Sequence, residues 1–113
     1  MPGKNRPQRT ADSIARTGMI EAGNISLSNR KPVPYEGGYA TVRSMSFNDH
    51  NGVEVLIPTV VNGTVVSDNT AIGHYYLTGQ HLGKYTSPQA ADVAAQRIHL
   101  AEAARIKRMG YGN

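Results

Sequence analysis

Glu54-Val55-Leu56-Ile57-Pro58-Thr59-Val60-Val61-Asn62-Gly63-Thr64-Val65-Val66-Ser67-Asp68 reads, without a gap, as strand, hairpin turn, short strand and helix cap. Within it Val53, Val55, Ile57, Thr59 and Val61 share one strand face, the expected core face, while Glu54, Leu56, Pro58 and Val60 share the other. Pro58 lacks a ladder donor and predicts a sheet edge or a local break. Asn62-Gly63 between β-branched residues is a strong hairpin signal and leads into a short strand, Thr64 to Val66.

Upstream, Tyr39 to Phe47 carries Val42, Met45 and Phe47 and predicts a first strand, closed by the turn Asn48-Asp49-His50-Asn51-Gly52. Downstream, Ser67 or Asp68 caps a helix whose Ala71, Ile72, Tyr75 and Tyr76 cover one side, and Gly79 ends it. Gly83 marks a loop. Ser87-Pro88 is a cap followed by proline at the first helical position, and the helix it opens runs toward Met109. Ala91, Ala94, Ala95, Ile98 and Ala101 form a narrow stripe suited to close packing, with Arg97, Arg105 and Arg108 on a neighbouring face.

The expected fold class is therefore α+β: a three-stranded antiparallel sheet (Tyr39 to Phe47, Val53 to Val61, Thr64 to Val66) packed on one face by two helices. An extended basic N-terminal arm lies outside it. The arm spans 1–22, with a possible short helix from Ser13 to Ala22. A single domain spans 23–109, and 110–113 form a tail. The segment 23–38 contains Pro32, Pro34, Gly37 and Gly38 and predicts an extended connection, pinned by Ile25 and Leu27.

The chain has 113 residues and a net charge of +4, unevenly placed. Residues 1–31 hold six Lys or Arg against Asp12 and Glu21, whereas residues 32–86 hold Arg43 and Lys84 against four carboxylates. The last stretch is basic again through Arg97, Arg105, Lys107 and Arg108. There is no Cys, which excludes disulfides and thiolate metal sites. No apolar run approaches the ~20 residues needed to span a bilayer, and no apolar stretch of leader type follows the basic N-terminal residues. A soluble, unexported chain is the expectation.

The four histidines fall on a turn (His50), a helix (His74), a loop (His81) and a second helix (His99), without a metal-ligand spacing. His50, His74 and His99 read as turn and helix-surface residues. Asp49, His50, Glu54 and Asp68 are the acid–base candidates, but turns and caps call for such residues on structural grounds. Ser44 and Ser46 lie on a strand, outside any nucleophile elbow. The glycines match neither dinucleotide nor phosphate-loop spacing. No catalytic, metal or cofactor residue is assigned. The candidate interaction surface consists of basic residues: Lys4, Arg6, Arg9, Arg16, Arg30, Arg97, Arg105, Lys107 and Arg108. Their counterion-releasing charge would also suit a nucleic-acid backbone.

Four motifs taken together carry a resemblance: Gly23-Asn24-Ile25-x-Leu27-x-Asn29-Arg30, Thr41-Val42-Arg43-Ser44-Met45-Ser46-Phe47, Glu54-Val55-Leu56-Ile57-Pro58-Thr59-Val60 and His81-Leu82-Gly83-Lys84. The chain resembles a small uncharacterised domain of tailed-bacteriophage proteins, found alone and within large virion or ejected proteins alongside lytic transglycosylase domains. The resemblance covers about residues 23 to 104 and implies context rather than chemistry. It favours Asn24, Asn29, Arg30, Arg43, Ser67 and Asp68. Asn24 and Asn29 would satisfy backbone groups, Ser67 would cap, and Arg43 would pair with Glu54 across the sheet. The chain departs from that family where Asn69 and Thr70 stand in place of a common acidic residue, and at Ser87-Pro88.

The leading expectation is a non-enzymatic virion structural component, assembled in the bacterial cytoplasm. It would contact other virion proteins and copies of itself in a symmetric assembly, at the head-to-tail junction, tail or internal ejection apparatus. The alternatives are a basic nucleic-acid-binding accessory protein and an accessory domain associated with cell-wall degradation.

Overall fold

A computed structural model describes Thr10 and residues 17–111. Lys4, Arg6, Arg9 and Arg16, and the first part of the short helix expected from Ser13, lie outside the described residues. The elements fully within the described residues are β1 (Met19–Ala22), β2 (Val33–Tyr35), β3 (Gly38–Ala40), β4 (Ser44–Asn48), β5 (Glu54–Pro58), β6 (Val60–Val61), β7 (Thr64–Val65), α1 (Asp68–Thr78), β8 (Gly83–Tyr85) and α2 (Pro88–Arg108).

The α+β class stands, but the main sheet has four antiparallel strands in the order β1-β8-β5-β4 instead of three. Thr64–Val65 does turn back at Asn62-Gly63, yet it pairs only with Val60–Val61 in a separate ribbon. The expected first strand is broken as well. Its beginning, Gly38–Ala40, pairs with Val33–Tyr35 in a hairpin within the supposed extended connection, and only Ser44–Asn48 joins β5. Glu36 and Gly37, both at positive φ, make that turn. Met19–Ala22, expected as the end of a helix, is the strand β1, and Gly83–Tyr85, expected as loop, is β8.

Every residue of β5 is buried because a helix covers each face of the sheet. Leu56 joins Val42, Leu82 and Tyr85 against Ala91 and Ala94 of α2. Val55 and Ile57 pack against Ala71 of α1 on the other side, with Met45, Phe47 and Tyr75 around them. The two helices thus flank the sheet and do not share a face. Ile25 and Leu27 pack against the α2-side cluster and pin the lead-in as the alternation predicts.

Pro58 fits because it lies opposite Ser44 at a position that makes no ladder bond, beyond the end of β8. Asp49 closes the β4–β5 turn by accepting from Asn51 N–H (2.8 Å) and Val53 N–H (3.0 Å). Ser67 caps α1 by accepting from Thr70 N–H, and Gly79 (φ 74°) ends it with a bond to Tyr75 O. Ser87 and Pro88 open α2 in the expected way.

Candidate functional site

The face of α2 that meets the chain carries a charge where its small-residue stripe predicts an apolar side chain. Ala91 and Ala94 are buried, but the next buried positions are Glu102 and Ile106, and Ala101 is exposed. Glu102 is four residues past Ile98, hence on the same face. Thr41 donates its hydroxyl to Oε1 of Glu102, and Arg105 donates from Nη2 at 2.8 Å and from Nε at 3.2 Å. Arg105 also reaches the carbonyls of Arg30 (3.0 Å) and Ser28 (3.4 Å), so the lead-in is tied to the helix. Arg30 completes the cluster by donating to Val60 O at 2.8 Å and Thr41 O at 3.2 Å.

Burial alone would raise the Glu102 carboxyl. The hydrogen bonds from Arg105 and Thr41 and the positive charges of Arg105 and Arg30 overcome it and hold the group below the usual value. Burial lowers the Arg30 guanidinium, with Glu102 opposing, and the bond to Glu102 raises Arg105. The cluster is an internal clasp in which Arg105 pairs with the Glu102 carboxylate and Arg30 is held by main-chain carbonyls nearby.

Between the β2–β3 hairpin and α2 lies a groove of about 600 Å³, with Glu102 at its floor. Tyr35, Tyr39 and Arg43 line one wall, and Asp92, Gln96 and His99 line the other. The Arg43 guanidinium lies 4.4 Å from the centre of the Tyr35 ring, a cation–π contact, so it does not pair with Glu54. Glu54 instead accepts from the Ser46 hydroxyl (2.6 Å) and Asn48 Nδ2 (3.3 Å), away from the groove. The groove is lined by donors, by the carboxylates of Glu36, Asp92 and Glu102 and by aromatic surface.

A second polar cluster holds the β1–β8 side. His81, expected on a loop, is fully buried, and its Nε2 lies 2.8 Å from Glu21 Oε2, with Lys84 Nζ 3.9 Å from the other carboxylate oxygen. Asn24 brackets the neighbouring backbone: Nδ2 donates to Gly79 O (3.0 Å), Oδ1 accepts from His81 N–H (2.8 Å), and its own N–H donates to His81 O (3.0 Å). Asn24 therefore satisfies backbone groups, the role the motif suggested.

Among the described residues, the basic positions singled out by sequence divide into two groups. Arg97, Lys107 and Arg108 are exposed on α2, whereas Arg105 is turned inward to the buried Glu102 carboxylate and Arg30 to the carbonyls of Val60 and Thr41. Lys4, Arg6, Arg9 and Arg16 are outside the described residues. Glu102, Thr41, Glu21 and His81 carry the polar architecture and were missed. For Glu102 alone a signal existed, an acidic residue interrupting an apolar helical stripe. Among the described residues no group of three His, Cys, Asp or Glu is placed to hold a metal ion, and no helix is long and apolar enough to cross a membrane.

Compared with known proteins, the chain matches no family model, no curated protein and no solved structure.

Proposed function

We propose that this chain is a non-enzymatic structural component of a bacteriophage particle, at the head-to-tail junction, tail or internal ejection apparatus, and that it works through contacts with other virion proteins. One observation carries the reading. The motif residues Asn24, Arg30 and Ser67 direct their hydrogen bonds into the chain itself, while large apolar side chains stand outside the core. Leu77 is 85% exposed, Leu100 60% and Val93 59%. Val93 and Leu100 are seven residues apart, on one face of α2, an arrangement suited to a partner surface. Mass spectrometry of purified particles tests the reading: the chain is expected among the minor components, and its absence where the other minor components are detected would sink it.

A second reading, a nucleic-acid-binding accessory protein, draws on the exposure of Arg97, Lys107 and Arg108 along that same helix. It predicts DNA binding that weakens steeply with salt and with replacement of these three residues. Binding that ignores salt would remove it.

A further inference from the structure

We propose that the outer edge of β4 docks a second copy of this chain, whose own β4 adds antiparallel and joins the two four-stranded sheets into one. The inference deepens the structural reading above, on which its biological use rests, by naming how copies meet.

Ladder bonds alternate along an antiparallel strand. Thr59 N–H donates to Arg43 O at 2.6 Å and Asp49 N–H donates to Val53 O at 2.9 Å, so Arg43, Met45, Phe47 and Asp49 face β5. Ser44, Ser46 and Asn48 then direct their main-chain N–H and C=O groups away from the sheet, and these have no partner among the described residues. A row of unsatisfied backbone groups is a template for another strand.

The two edges of the sheet differ in how they are guarded. At β1 the register shifts between Met19 and Glu21, and Glu21 places a carboxylate on the strand. Bulges and charges of this kind discourage strand addition. At β4 the sequence Ser-Met-Ser-Phe-Asn runs in unbroken register over five pairs and contains no charge and no proline. The unguarded edge is the one with regular geometry.

What fits it is another β4. Antiparallel pairing centred on Ser46 sets Ser46 against its own equivalent, Ser44 against Asn48 of the second copy, and Met45 against its Phe47. Small polar side chains meet on one face and apolar ones on the other, as a twofold interface requires. The apolar side is already prepared: Phe47 packs against Tyr75 and Tyr76 at ring separations of 5.6 and 5.9 Å, and Tyr76 is half exposed beside His50.

Sedimentation equilibrium of the full chain, at concentrations up to about 1 mM, where even a millimolar dissociation constant is populated, is expected to give a weight-average mass that rises with concentration from 12.2 kDa toward twice that value. The double variant Ser44→Lys with Asn48→Lys, which faces lysine with lysine across the twofold, is expected to weaken association by roughly tenfold or more. Ser44→Glu with Asn48→Lys faces opposite charges and is expected to restore it, with melting temperatures confirming that both variants fold. A monomeric parent chain, association indifferent to the Lys–Lys pair, or failure of the Glu–Lys pair to recover it would overturn the proposal. A monomer found in particles would sink this interface and leave the particle reading standing, whereas a β4 dimer absent from particles would do the reverse.

Discussion

Arg105 Nη2 lies 2.8 Å from Glu102 Oε1, one turn earlier on α2, and the same guanidinium holds the carbonyl of Arg30. A single arginine thereby neutralises a buried carboxylate and fastens the irregular lead-in to the last helix. Replacing Glu102 with Ala removes the acceptor of the Thr41 hydroxyl and leaves Arg105 without its carboxylate, with only main-chain oxygens to bond. Breaking a buried, hydrogen-bonded pair in this way is expected to cost roughly 2–4 kcal/mol. Urea unfolding measures it, and a midpoint equal to the parent's would show that the clasp is dispensable.

Acid should release the same clasp. The Glu102 carboxyl is held below its usual value of 4.5 in the folded chain. Its contribution is therefore fully present above that value and is lost as pH falls through the lower folded value. Glu102→Gln cannot lose a charge, so the stability gap between parent and variant should narrow on acidification. Melting temperatures recorded from neutral pH downward decide the matter. A gap that widens in acid would contradict the assignment.

Arg30 and Arg97 should behave differently although both read as basic surface. Arg30→Ala removes donors to Val60 O and Thr41 O in a half-buried site, with an expected loss of roughly 1–3 kcal/mol. Arg97 is exposed on α2, and Arg97→Ala should stay within about 0.5 kcal/mol of the parent. Equal effects in chemical denaturation would mean that Arg30 is not part of the internal network.

Gly23 is set against the backbone of Leu82, where an added Cβ would come within 2.7 Å of both the carbonyl carbon and its oxygen. Main-chain atoms cannot swing aside, so Gly23→Ala should separate β1 from β8 and cost roughly 2–3 kcal/mol. Gly37 has open space and only a positive φ to satisfy, and Gly37→Ala should cost about 1 kcal/mol. Thermal melts of the two variants test that ranking, and the reverse order would refute the close approach.

Local signals predicted local structure well. Ser67, Gly79, Ser87 and Asn62-Gly63 fall at the caps and turn expected of them, because each acts on groups two to four residues away. The sheet was less legible. β1 and β8 have four and three residues, too few to show a period, and pairing across more than sixty positions leaves no mark in either segment alone. The alternation in β5 pointed to one core face. Helices cover both, and a strand buried on both sides loses the contrast that alternation depends on.

The α+β class, the two helices with their caps, the hairpin turn and the basic ends of the chain are legible in the residues alone. All of these follow from interactions between near neighbours or from composition. Long-range packing sets which strands share a sheet, gives each helix its own face, and selects which charges remain outside. Arg30 and Arg105 read from sequence as surface cations, yet Arg105 turns inward to Glu102, since a carboxylate buried without partners costs several kcal/mol, and Arg30 turns inward to the carbonyls of Val60 and Thr41. The free edge of β4 belongs to the same category: among the described residues no strand takes the place beside Ser44–Asn48 on the side away from β5.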